Sequence, residues 1–201
     1  MDSVYNATMI TIEKSLVEKL MELKKPAIIA VSGFGGAGKS TFSDLLGKRL
    51  HAPVIRLDSF ARDRLENNPV LWDAMDFNRL EREVLIPFSA GIKRIDYGGY
   101  HWGENKVTET KSVENSGILI IEGVGLLRQN LNKYFAYKIW IDCPQEESIR
   151  RGKKRDREVY QLVRNENWDG IWRVNDTEYF EKYKPIEMAD SIISNHENKN
   201  E

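Results

Sequence analysis

The chain has 201 residues and a formal net charge of −1, from 30 basic and 31 acidic side chains. So even a balance excludes bulk attraction to nucleic acid or a membrane surface and leaves a small molecule as the expected partner. A single cysteine, Cys143, excludes an internal disulfide framework and a cysteine zinc cluster.

Met9, Ile12, Leu16, Leu20 and Leu23 recur at helical spacing, and Lys24-Lys25-Pro26 ends that first helix, which occupies residues 1–25. It packs on the sheet or against a second copy, so a homo-oligomer stays open. Ala27-Ile28-Ile29-Ala30-Val31 is short, β-branched and apolar throughout, as a buried parallel strand requires. A glycine-rich turn follows, and then a helix marked by Phe42, Leu45, Leu46 and Leu50. Val54-Ile55-Arg56-Leu57 predicts a second strand ending at Asp58. Ser59 to Asp76 reads as a long surface loop with some helix, broken at Asn67-Asn68-Pro69. Phe77, Leu80, Val84 and Phe88 predict a helix, with Gly91 at its C-terminal cap. Short strands are expected around Gly98-Gly99.

Ile118-Leu119-Ile120-Ile121, ending at Glu122-Gly123, and Lys138-Ile139-Trp140-Ile141-Asp142 are two more buried strands. A very basic helix is predicted over 146–164, another over about 176–183, and a last short strand at Ser191-Ile192-Ile193. The tail from His196 is polar, as a frayed terminus is. Strands alternating with helices define an α/β fold with a mostly parallel sheet, one domain over 1–201. No apolar run approaches the roughly 20 residues that cross a bilayer, and the N-terminus lacks a signal peptide's basic and apolar regions. A cytoplasmic location is the default expectation.

Gly33-Phe34-Gly35-Gly36-Ala37-Gly38-Lys39-Ser40 fits G-x-x-x-x-G-K-[ST], the phosphate-binding P-loop. Glycines let successive N–H groups face one phosphate, and the following helix adds its positive N-terminal end. The nucleotide-binding set is therefore Gly33, Gly35, Gly36, Ala37, Gly38, Lys39, Ser40 and Thr41. Lys39 reaches the β- and γ-phosphates, and the Ser40 hydroxyl binds Mg²⁺. The same letters also contain G-x-G-x-x-G, with Asp58 twenty positions beyond Gly38, where a dinucleotide-binding fold places its ribose acid. Lys39-Ser40 decides between the two, because only a P-loop uses that pair. No N-K-x-D segment for guanine is present, since Asn132-Lys133-Tyr134-Phe135 breaks it at the last position. A compact small-molecule kinase remains, dependent on ATP and Mg²⁺, with a non-catalytic nucleotide-binding module as the alternative.

The chain resembles the uridine kinase group of P-loop kinases, which includes phosphoribulokinase-like and pantothenate kinase-like enzymes. The likeness spans roughly residues 27–194. It rests on the P-loop, Asp58-Ser59-Phe60, Asp73-Ala74-Met75-Asp76-Phe77, Ile120-Ile121-Glu122-Gly123, Arg151 with Arg155-Asp156, and Pro185 with Ala189-Asp190-Ser191-Ile192-Ile193. It implies a three-layer P-loop fold with a helical, arginine-rich lid, here about 145–170, and phosphoryl transfer to an alcohol, with a nucleoside as the leading acceptor. A pantothenate-like or sugar-phosphate acceptor is the alternative. The family's Tyr-Asp-Tyr, His and Arg segment is only partly matched by Ile95-Asp96-Tyr97-Gly98-Gly99-Tyr100-His101-Trp102. Tyr100 stands in place of the His and Trp102 in place of the Arg, so a strict pyrimidine ribonucleoside kinase is not expected.

Asp58, at the C-terminal edge of the sheet, is the candidate catalytic base, a second Mg²⁺ contact and an acceptor-binding group. Glu122 ends a buried strand at the same edge and is a further candidate for the Mg²⁺ shell. Six of the eight residues from Arg150 to Arg157 are basic. Helical spacing puts Arg151 and Arg155 on one side, as lid cations over the phosphates. Tyr97, Tyr100 and Trp102 are candidates to stack on a planar acceptor.

Overall fold

A computed structural model describes residues 10–62 and 75–196. Met9, the Asn67-Asn68-Pro69 break, the Asp73-Ala74 pair and the tail beyond His196 lie outside the described residues. The first half of the chain runs α1 (Lys14–Met21), β1 (Ala27–Ser32), α2 (Lys39–Leu50), β2 (Val54–Arg56), a 3-10 turn (Leu57–Phe60) and α3 (Phe77–Leu80). A π-helical turn (Glu81–Leu85) joins α3 to α4 (Ile86–Ser89), and the hairpin strands β3 (Arg94–His101) and β4 (Lys106–Glu114) follow. Then come β5 (Ile118–Glu122), β6 (Phe135–Asp142), α5 (Gln145–Glu158), α6 (Asn165–Asp169), α7 (Ile171–Tyr183), α8 (Pro185–Met188) and β7 (Ser191–Ser194).

Five strands form one sheet in the order β2-β5-β1-β6-β7, and every pairing in it is parallel. β3 and β4 form a separate antiparallel ribbon. Alternation along the strands divides the core into two. Ile28, Ala30, Leu119 and Ile121 face a cluster with Phe77, Leu80, Val84, Phe88 and Tyr179. Ile29, Val31, Ile118 and Ile120 face the other, with Leu16 and Leu20 of α1 and Phe42 and Leu46 of α2. Helices thus cover both faces, the three-layer architecture expected of a fully buried parallel sheet.

Several boundaries differ from the sequence reading: the first helix covers Lys14–Met21, with Ile10 to Glu13 and Lys24-Lys25 outside it, and β6 begins three residues early, at Phe135. β2 stops at Arg56, and Leu57 and Asp58 turn into the 3-10 segment instead of extending the strand. The basic helix ends at Glu158 rather than 164, and Val159, Tyr160, Leu162 and Val163 beyond it are exposed. They offer no buried face to prolong the helix, and Leu162 N–H closes a turn on the Asp156 carbonyl at 2.9 Å. The next long helix starts at Ile171, five residues before its expected beginning at Asp176, directly after Gly170.

Candidate active site

The glycine-rich turn links the C-terminal end of β1 to the first turn of α2. Gly36 and Gly38 hold φ values of +83° and +99°, backbone that a side chain rarely tolerates. A side chain on Gly36 would also collide with the Ser148 carbonyl of α5. Lys39 is buried, and its Nζ donates to the Phe34 carbonyl at 2.8 Å, curling back across the loop. Ser40 Oγ donates to Glu122 Oε1 at 2.9 Å. Thr41 lies exposed in the first turn of α2.

Parallel register brings the carboxylates to this edge. Glu122, the last residue of β5, stands beside Val31 of β1 and Arg56 of β2. Arg56 bridges outward, with Nε 3.4 Å from Glu122 and Nη2 2.8 Å from Asp44. Burial pushes the Glu122 carboxyl up, and Lys39, the Ser40 hydroxyl and Arg56 oppose that push. Asp58, two residues past β2, is exposed at the same edge, and its charge raises Glu122 further. Burial lowers the Lys39 ammonium, while Glu122, Asp176 and Asp58 pull it back up and Arg155 lowers it again. One lysine is therefore held among three carboxylates and one arginine, an arrangement able to polarise and neutralise phosphate.

Among the described residues no group of three or more His, Cys, Asp or Glu side chains forms a metal cage. The Ser40 hydroxyl beside Glu122, with Asp58 within electrostatic reach, is instead a sparse set of hard oxygen donors. That set fits Mg²⁺, which takes one or two carboxylates and completes its shell with phosphate oxygens and water.

The expected lid region packs directly on the loop. Trp168 of α6 places its ring edge 3.1 Å from the position of a Gly35 Cβ and lies tightly against Gly152. Its indole N–H donates to Asp156 Oδ2 at 2.9 Å. Arg155 reaches Lys39 electrostatically, pairs with Asp156 at 3.2 Å and stacks over Tyr160. Arg151 is engaged elsewhere. It pairs with Glu147 and donates to the Asn195 carbonyl at 2.9 Å, fastening α5 to the end of β7. Asn195 in turn donates its side-chain N–H to the Ala37 carbonyl at 2.8 Å, securing the loop from behind.

The aromatic candidates divide. Tyr97 stacks on Phe60, two residues beyond Asp58, with ring centroids 5.6 Å apart. Arg56 and Glu109 both act on its hydroxyl. Tyr100 and Trp102 pack edge-to-face on each other at 5.1 Å, farther along the ribbon, and Trp102 is partly exposed. A bulge between Gly99 and Tyr100 turns Tyr100 to the buried side with Tyr97. Sequence reasoning missed Asp176, whose Oδ2 accepts the Gly35 N–H at 2.6 Å. It also missed Arg79, which donates to the carbonyls of Gly98 at 2.8 Å and Ser59 at 2.6 Å. Neither belongs to a contiguous pattern.

A family model described as an AAA domain matches residues 29–169. A uridine kinase of Limosilactobacillus reuteri (strain DSM 20016) is 24% identical over 178 residues, 83% of this chain and 78% of that protein. One of Clostridium tetani is 26% identical over 151 residues, 66% and 69% of the two. The structure of a possible uridine kinase from Bacillus stearothermophilus superposes with a TM-score of 0.66 at 17% identity, covering 89% of this chain and 95% of that one. A candidate fructose transport system kinase from Silicibacter sp. TM1040 gives 0.71 at 20% identity, covering 89% and 97%. The chain belongs to the AAA-domain family, has a P-loop fold and is a kinase similar to uridine kinases.

Proposed function

We propose that the protein transfers the terminal phosphoryl group of ATP to a hydroxyl of a small metabolite, with a nucleoside as the leading acceptor. The observation that carries this reading is the meeting of Lys39, Ser40, Glu122 and exposed Asp58 at one sheet edge. The loop N–H groups and Lys39 hold the phosphates, and Arg155 stands over them from α5. Ser40 and Glu122, with Asp58 nearby, would hold Mg²⁺, which would supply charge neutralisation on the phosphate oxygens. Asp58 accepts the proton of the acceptor hydroxyl as that oxygen attacks phosphorus, and its exposure leaves room for the acceptor. A screen of nucleosides, vitamins and sugars for acceptor-dependent ADP release tests this. Release with none of them removes the kinase reading of the site.

One observation favours a broader acceptor than a pyrimidine ribonucleoside. By the resemblance, Tyr100 and Trp102 stand where the family has its His and Arg, and the two rings pack on each other. An indole has a single N–H and a wide apolar face, so it stacks better than it reads a hydrogen-bonding edge. Each lost donor costs discrimination of about 1–3 kcal/mol. With uridine, adenosine and pantothenate offered together, uridine should not be strongly preferred over both of the others. A uridine preference above about a hundredfold, worth about 2.7 kcal/mol, restores strict pyrimidine specificity.

A further inference from the structure

Asp176 comes to the phosphate site from α7, far from the glycine turn in sequence. Its carboxylate is buried, accepts the Gly35 N–H at 2.6 Å and exchanges charge influence with Lys39. A peptide N–H of the loop and the loop's lysine are the two kinds of group that a P-loop turns toward phosphate. In this structure a side-chain anion of the protein itself takes the loop N–H and acts on the lysine electrostatically.

Burial pushes the Asp176 carboxyl up to about 6, with the Gly35 N–H and Lys39 opposing. Lys39 of α2 is the cation that bears on it among the described residues. From its own helix the Tyr179 hydroxyl faces the same region, held by Ser32 at 3.1 Å and the Leu127 N–H at 3.0 Å. From α6 comes uncharged Trp168. On α5, Asp156 is taken up by the Trp168 indole, and Arg155 bears on Lys39. Glu122 and Asp58 draw on the same lysine. A triphosphate brings several negative charges to a neighbourhood where carboxylates already draw on one lysine, so an ionised Asp176 repels the phosphates and competes with them for the loop N–H and for Lys39.

We propose that Asp176 is a resident anion of the phosphate site, which holds Gly35 and Lys39 in the nucleotide-free protein and competes with nucleotide phosphate, so that it sets nucleotide affinity. This inference rests on the P-loop kinase reading of the same site. It makes Asp176 a positioning residue: it acts through the loop and touches neither acceptor nor transferred group.

The test is equilibrium binding of ATP with Mg²⁺ to the full chain, as wild type, Asp176→Asn and Asp176→Ser, by calorimetry. At about pH 8, where the wild-type carboxyl is ionised, both variants should bind about fivefold more tightly or better. At about pH 5.5 the wild-type carboxyl is largely protonated, and the gain should shrink to within about twofold. ATP's own titration is common to all three proteins and cancels in the ratio. Equal or weaker binding by the variants at pH 8, or a gain independent of pH, overturns the inference alone. Loss of cooperative melting in both variants overturns it too, by assigning Asp176 to the fold. No ATP binding by any of the three overturns it together with the nucleotide reading. The expected gain without ADP release on any acceptor supports the inference and sinks the kinase.

Discussion

The glycine turn and the β3–β4 ribbon are built on opposite plans. Around the turn, charge is buried and compensated: Lys39 and Glu122 are inside, and each is balanced by the other. The backbone there is fixed by a parallel sheet, by α5 against Gly36 and by Asn195 against Ala37. Along the ribbon, β4 is exposed at most positions, while β3 sends Ile95 and Tyr97 into the core and meets α3 and the π-helical turn at polar points. One of them is Gly98, whose carbonyl accepts from Arg79 at 2.8 Å and whose N–H donates to Glu83 at 3.0 Å. A Cβ at that glycine would lie 2.9 Å from Arg79, so the close approach requires its absence. The contrast is between a glycine turn of buried, compensated charge and a two-stranded ribbon with one strand in the core and the other in solvent. Damage to the turn should abolish transfer, and damage to the ribbon should change what is accepted.

The largest expected effect is on the base. Asp58→Asn keeps the size of the side chain and removes its proton acceptor, so turnover should fall about 10²–10⁴-fold while ATP binding holds. Initial rates with saturating acceptor, set beside ATP titrations, check this; a fall of less than tenfold removes Asp58 as base. Lys39→Ala should cost roughly 2–4 kcal/mol of transition-state stabilisation, read as lost kcat/KM. Arg79→Ala sharpens the contrast from the other side. It leaves the carbonyls of Gly98 and Ser59 without their donor and removes the cation over Phe60, 4.7 Å from its ring. Stability should drop by roughly 2–4 kcal/mol in urea unfolding, and the acceptor KM should rise with the ATP KM unchanged. An ATP KM that rises in step would show that ribbon and turn are not separate. The smallest effect belongs to Trp102→Ala. Trp102 is partly exposed, so stability should change by less than about 1 kcal/mol. Its mark should be an acceptor KM raised several-fold, and an unaltered KM takes Trp102 out of the acceptor site.

The same contrast explains what the sequence disclosed. The turn was legible because Gly33 to Ser40 are contiguous, and contiguous chemistry forms a readable pattern. Glu122 was legible because a buried strand announces where it ends. Asp176 and Trp168 were not, because they reach Gly35 through space from separate helices. The basic helix was overextended for a related reason. Its buried stripe is Ser148, Ile149, Gly152 and Asp156, small and polar apart from Ile149, so no apolar period marked which side faces the loop or where it stops. The ribbon was visible only as strands near Gly98-Gly99. Its anchor, Arg79, looked like any charged residue of an amphipathic helix, yet it is buried against backbone carbonyls.

The central claim is that the buried lysine of the turn drives phosphoryl transfer to an alcohol. Acceptor-dependent ADP release by wild type and Lys39→Ala, with ATP and Mg²⁺ and a panel of nucleosides, vitamins and sugars, tests it most directly. The account predicts release by the wild type that rises with one class of acceptor, and a loss of about 30-fold or more in the variant. Wild-type-like release by Lys39→Ala would contradict it.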